Sequence, residues 1–186
     1  MRHWNKNELT QAPDVPGIHK ASEGFGFKFF NRLIYYDKSG FTDISGEPLT
    51  SSIMQIFHLY MMNRPAKTAE GSKKLVTFRE FPGAGPLFSR FTENTNKIIE
   101  QTFSGRLEDL EKKCLHFGGT PENTPSYDVS FRFLSLPDIP VMFHFNDADE
   151  ILPAKAAFLF YENATHYLDP KSLGIITTYL TGLLVR

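Results

Sequence analysis

Hydrophobic positions along this chain switch between a period of two and a period near 3.6, and each switch marks a change of element. Phe25, Phe27 and Phe29 alternate with Gly26, Lys28 and Phe30, the pattern of a half-buried strand. Asn31-Arg32 offers a turn into a second strand, Leu33-Ile34-Tyr35-Tyr36, which Asp37-Lys38-Ser39-Gly40 ends. Ile53, Ile56, Phe57, Tyr60 and Met61 then recur at helical spacing, one apolar stripe over residues 51–62. Thr50 or Ser51 can cap that helix, and Pro65 follows its end. Leu75 to Phe81 reads as a short strand running into Pro82-Gly83-Ala84-Gly85-Pro86. Pro86 suits the first turn of a helix that continues to about Phe103, with Phe88, Phe91, Thr95, Ile98, Ile99 and Thr102 on one face. Another helix follows Ser104-Gly105, with Leu107, Leu110, Cys114 and Phe117 inward, and Gly118-Gly119 stops it.

The clearest alternation comes next. Val129, Phe131 and Phe133 alternate with Ser130 and Arg132, and Val141, Phe143 and Phe145 alternate with Met142 and His144. With Leu136-Pro137-Asp138-Ile139-Pro140 between them, the two runs predict an antiparallel hairpin with one buried face and His144 on the outward one. After an acidic loop, Ala156, Phe158 and Phe160 mark a further strand, apolar on both faces and therefore central. Asp169-Pro170 caps a last helix with Leu173, Ile176, Leu180, Leu183 and Leu184 on its core face. Together these predict an α+β fold: an antiparallel sheet of about five strands with three to four helices packed mainly on one face. Residues 1–24 are polar, with Pro13, Pro16, Gly17 and Gly24, and read as an arm with Trp4 as its anchor. Residues 25–186 read as a single α+β domain, with Arg64 to Lys74 an exposed linker inside it.

Composition narrows the functional classes. The 186 residues carry 20 Lys+Arg against 21 Asp+Glu, and this balance argues against nucleic acid, whose affinity comes from clustered cations. One cysteine, Cys114, cannot supply a disulfide framework or a thiolate metal site alone. It sits on a core stripe, so a buried structural thiol is expected. No apolar run is long enough to span a membrane and the N-terminus lacks a secretory h-region, so a cytoplasmic protein is expected. Phe is as common as Leu, 18 of each. Nine of those phenylalanines fall in the period-two groups 25/27/29, 131/133, 143/145 and 158/160, so the excess fills pleated inner faces.

Two charged segments could carry chemistry. Asp147, Asp149 and Glu150 place three carboxylates within four residues, directly after the strand that bears His144. Hard divalent cations take carboxylate oxygens, so a Mg²⁺ or Ca²⁺ site is one reading. Such clusters equally serve turns and helix starts. The second segment is Arg79-Glu80-Phe81-Pro82-Gly83-Ala84-Gly85, with Arg90 beyond it. Gly83 and Gly85 permit close backbone approach, a following helix N-terminus suits an anion, and two arginines could bind it bidentately. A tight strand-to-helix turn needs glycines for steric reasons too.

Several strings then occur in a telling order: Val76-Thr77-Phe78-Arg79-Glu80-Phe81-Pro82-Gly83, His116-Phe117-Gly118-Gly119, Tyr127-Asp128-Val129-Ser130-Phe131, Leu136-Pro137, Asp147 to Ala154, and Tyr167-Leu168. The series resembles a prokaryotic family catalogued only as a domain of unknown function, found largely in anaerobic bacteria and archaea. The resemblance extends from about residue 12 to 184. Where the family favours an acidic-Glu-Phe-Pro-Ala string, this chain has Ile151-Leu152 in place of the single Phe. Some relatives carry iron–sulfur cysteines or sit in corrinoid and one-carbon settings, so the resemblance implies that any redox link here comes through a partner. It also implies one shared site built from Arg79, Glu80, Asp128 and the acidic loop.

The leading expectation is an accessory binding domain of anaerobic metabolism. A polar pocket, formed where Arg79, Glu80, Gly83, Gly85 and Arg90 meet Asp128, His144 and the loop Asp147 to Glu150, would hold a small molecule or a protein partner. One alternative is a Mg²⁺-dependent hydrolase or transferase, with Asp147, Asp149 and Glu150 holding the divalent cation and His144 as base. Another is a structural partner subunit, marked by an extended exposed apolar patch. Membrane insertion is not expected, and oligomeric state is left open.

Overall fold

The computed structural model describes residues 17–21, 24–64 and 74–186. The N-terminal part of the expected arm, Trp4 included, and most of the expected linker lie outside the described residues. Four strands form a first antiparallel sheet in chain order: β1 (Ile18–Ala21), β2 (Gly24–Phe29), β3 (Arg32–Asp37) and β4 (Gly40–Asp43). Helix α1 (Ser51–Asn63) follows, with Thr50 Oγ1 accepting from the Ile53 amide. Strand β5 (Leu75–Thr77) leads through a 3₁₀ turn, Phe78–Glu80, to α2 (Gly85–Asn94), α3 (Asn96–Phe103) and α4 (Leu107–His116). Then come β6 (Thr120–Pro121), β7 (Val129–Leu136), β8 (Ile139–Asn146) and β9 (Lys155–Tyr161), a second 3₁₀ turn at Glu162–His166, and α5 (Pro170–Leu184). The second sheet is antiparallel with strand order β5-β9-β8-β7-β6.

The α+β class holds, but the strands divide into two antiparallel sheets where one of about five strands was expected. The hairpin at residues 25–36 belongs to a separate four-stranded sheet, and residues 18–21, within the stretch read as an arm, form its first strand. Period-two patterning tells which face of a strand is buried but not which strands pair, so it cannot count sheets.

Aromatic residues account for the packing between the layers. Phe27↔Ile34 and Phe25↔Tyr36 are cross-strand pairs on the inner face of the first sheet. Phe57 of α1 meets Phe27 and Phe29 edge-on, with ring centroids 5.2 and 5.0 Å apart. On the second sheet Phe131↔Phe143 and Phe143↔Phe158 share the inner face, beneath α3. One continuous core runs from Phe25 to Leu184, so both sheets bury their apolar faces in a common interior.

Three local departures from the expected pattern have clear causes. The strand expected from Leu75 to Phe81 stops at Thr77, because Thr77 and Glu80 form a capping box that starts the 3₁₀ turn. The single helix expected to Phe103 breaks at Thr95, whose backbone (φ −131°, ψ −84°) is not helical. Buried Thr95 turns its hydroxyl onto the Phe91 carbonyl, and the break lets Asn96 donate to the Ala156 carbonyl at 2.8 Å. Finally, the β2–β3 turn places Phe30 in the left-handed region at φ 55°. Its amide donates to Leu134 O of β7 and its ring is buried, so the contact between the two sheets holds this costly conformation. Gly118 ends α4 at φ +84°, as its place after the helix implies. Among the described residues no helix is long and apolar enough to cross a membrane.

Candidate functional site

The acidic loop leaves the end of β8 and turns back into β9. Asp128 and Asp147 meet there: Asp128 Oδ2 accepts from the Asp147 amide at 2.8 Å. Asp147 Oδ1 accepts from the Gly105 and Ala148 amides, tying the loop to the start of α4. Asp149 Oδ1 accepts from the Ile151 and Leu152 amides, which hold its carboxyl below the usual carboxylate range. Asp149 and Glu150 are exposed. The carboxylates of Asp147 and Asp149 therefore bind backbone amides and shape a turn. Among the described residues no group of three His, Cys, Asp or Glu side chains is placed to hold a metal ion.

The Arg79 segment is held by its own neighbours. Glu80 accepts from the Thr77 amide at 2.6 Å and its hydroxyl at 2.8 Å, and these bonds lower its carboxyl pKa. The Arg79 guanidinium lies over the Phe88 ring, 5.4 Å from its centre. Gly83 adopts φ +82°, a turn conformation that a side chain would strain, while a Cβ at Gly83 or Gly85 would meet nothing within 4 Å. Gly83 thus answers the turn, while Gly85 opens α2 with an ordinary backbone. No hydrogen bond or ion pair among the described residues joins Arg79 or Glu80 to Asp128 or the acidic loop.

His144 does not face open solvent as its place in the alternation suggests; only 6% of it is exposed. It is on the outer face of the second sheet, opposite Ser130. Its Nδ1 lies 3.0 Å from Ser130 Oγ, and Tyr127 stacks flat on the ring, with centroids 4.3 Å apart and planes at 10°. Burial lowers its pKa, and the charge of Glu122 offsets part of that. The residue that covers it sits before the strand, so period-two reading within β8 could not reveal the cover.

Arg90 lies elsewhere. It lines a cleft of about 450 Å³ between α1, α2 and α5, within the range of about 300–1,000 Å³ common for small-molecule sites. Ile53, Phe78, Leu87, Phe91 and Ile175 give the cleft an apolar lining, and Arg90 and Lys171 bring cationic groups to it. Phe78 and Phe91 stack in parallel, 4.0 Å apart. Gly174 of α5 passes their edges, and a Cβ there would stand 3.6 Å from Phe78. Neither Arg90 nor Lys171 takes part in an ion pair among the described residues. Two helices begin here. Thr50 caps α1, and Asp169 caps α5 by accepting from the Ser172 amide. Among the described residues the lining contains hydroxyls, an amide and cations but no carboxylate, imidazole or thiol.

Two buried polar clusters escaped sequence reasoning. Arg32 donates to Asp43, to the Tyr179 hydroxyl and to the Glu47 carbonyl, joining the first sheet to α5. Burial alone would raise the Asp43 pKa, but the Ser45 amide and Arg32 bring it below the ordinary value. In the second cluster Asp138 Oδ2 accepts from Tyr60 at 2.7 Å and from Arg64 at 2.5 Å. Burial and the Asp138 charge push the Tyr60 hydroxyl pKa far up. Arg64 Nη2 is buried with no partner among the described residues. The partners lie 147 and 78 positions apart for Arg32–Tyr179 and Tyr60–Asp138, beyond any local motif. Tyr60 on the apolar stripe of α1 was the available signal, since a buried hydroxyl needs a partner.

No curated protein and no solved structure matches the chain. A family model described as "Domain of unknown function (DUF3786)" matches residues 9–182.

Proposed function

The chain belongs to that family, and from this premise we propose that it is a binding domain which holds a small, largely apolar molecule between α1, α2 and α5. The observation that carries the reading is the cleft itself, about 450 Å³ with phenylalanine and aliphatic side chains along its floor. Apolar surface left open to water in a concave site gains about 25 cal/mol per Å² when a ligand covers it. Among the described residues the lining offers no carboxylate, imidazole or thiol, its tyrosine hydroxyl is engaged by Arg32 and Lys171 is exposed, a set that favours recognition over acid–base or nucleophilic chemistry. Arg90 is the residue through which the expected anion-binding segment enters this reading. Asp128, Asp147 and Asp149 contribute instead to the loop at the sheet end.

Titration with N-phenyl-1-naphthylamine, a neutral dye that brightens in apolar surroundings, tests the reading. The wild-type chain should give a saturable rise in fluorescence. Gly174→Leu should abolish it, because the new side chain projects toward the cleft while a leucine suits the helix better than glycine. Circular dichroism checks that this variant folds. A wild-type chain without saturable binding would overturn the proposal.

A further inference from the structure

Resting on the cleft as a binding site, we infer that its natural occupant is an organic carboxylate, with an apolar body and one anionic head. Arg90 stands on α2 and Lys171 on α5, so two separate elements bring positive charge to one cavity. Both are exposed, and among the described residues neither is spent on an ion pair. A wholly neutral apolar ligand would gain nothing from them. A multiply charged ligand such as a polyphosphate would have to desolvate its charge against Phe78, Leu87, Phe91 and Ile175, at high cost. One small anionic head on an apolar body satisfies both parts of the lining. The guanidinium fork of Arg90 matches the two oxygens of a carboxylate, and Lys171 can add a point charge beside it.

The test compares octanoate with 1-octanol, which share a body and differ in the head, by isothermal titration against the full chain. Octanoate should bind roughly tenfold or more tightly, the effect of one or two charge-assisted hydrogen bonds. In Arg90→Gln/Lys171→Gln the ratio between acid and alcohol should fall to about one. Equal affinity of the wild type for both molecules would overturn the carboxylate inference and leave the apolar cleft standing. Binding of neither, together with no response to the neutral dye, would overturn the cleft reading and this inference with it. A preference for octanoate that survives the double substitution would place the anion site elsewhere and overturn the assignment to Arg90 and Lys171.

Discussion

Asp138 holds two donors on one carboxylate oxygen in a site where little water reaches. Its side chain is 11% exposed and that of Arg64 8%, so the pair is buried, and Tyr60 closes the cluster from α1. Removing the acid strands a guanidinium that already has one nitrogen without a partner among the described residues. Breaking a buried pair from one side costs about 3–5 kcal/mol, much of it the penalty of the charge left behind. Asp138→Ala should therefore lower the unfolding free energy by about that amount in urea titrations. Arg64→Met/Asp138→Ala should lose less than Asp138→Ala alone, because no charge remains to be buried. Equal losses would show that the cluster acts through packing and not through charge.

At the scale of elements, the outer face of the β7–β8 hairpin carries a pH response. The lowered pKa of His144 means that the fold prefers its neutral form. As pH falls, the unfolded chain takes up the proton near the ordinary value of 6.5 before the folded chain does. Stability due to neutral His144 is thus present above about pH 6.5 and is lost below it. His58 is exposed, with its ring centroid 4.8 Å from that of Phe41, and partial desolvation there lowers its pKa and adds a smaller change of the same sign. Thermal melts from pH 7.5 to 5 should show a falling Tm, and His144→Gln should flatten the slope. An unchanged slope would remove His144 as its source. The same scale explains the break in the expected long helix. Strand β5 pairs only with Leu159 to Tyr161, so among the described residues the first half of β9 has no strand on that side. Asn96 and Glu100 of α3 take the Ala156 carbonyl and amide in place of that missing strand. The turn at Thr95 sets Asn96 in reach of it.

Across the whole molecule the two sheets meet at a joint centred on Phe30. Phe30 donates its amide to β7 and places its ring against Phe133 and Tyr179, while Tyr179 also contacts Phe29 and accepts from Arg32. Since the core is continuous through this joint, the sheets should unfold together. Phe30→Ala should cost about 3–5 kcal/mol, as for other large core truncations. The transition should stay single, with near- and far-ultraviolet circular dichroism coincident. Separate transitions would mean that each sheet is stable on its own.

Sequence by itself determined the elements whose signal is local: the capped helices at 51–63 and 170–184, the Gly118 stop and the 129–146 hairpin. Each rests on side-chain periodicity or on a cap within a few residues, both of which are written in consecutive positions. It also marked Arg90, which the fold sets in one cleft with Lys171. Tertiary structure decided the separation into two sheets, the cover over His144, the buried partners of Arg32 and Asp138, and the cleft between α1, α2 and α5. The reason is physical. A cavity is the space between faces that several distant segments leave unfilled, and no single segment carries a pattern for the space it does not occupy.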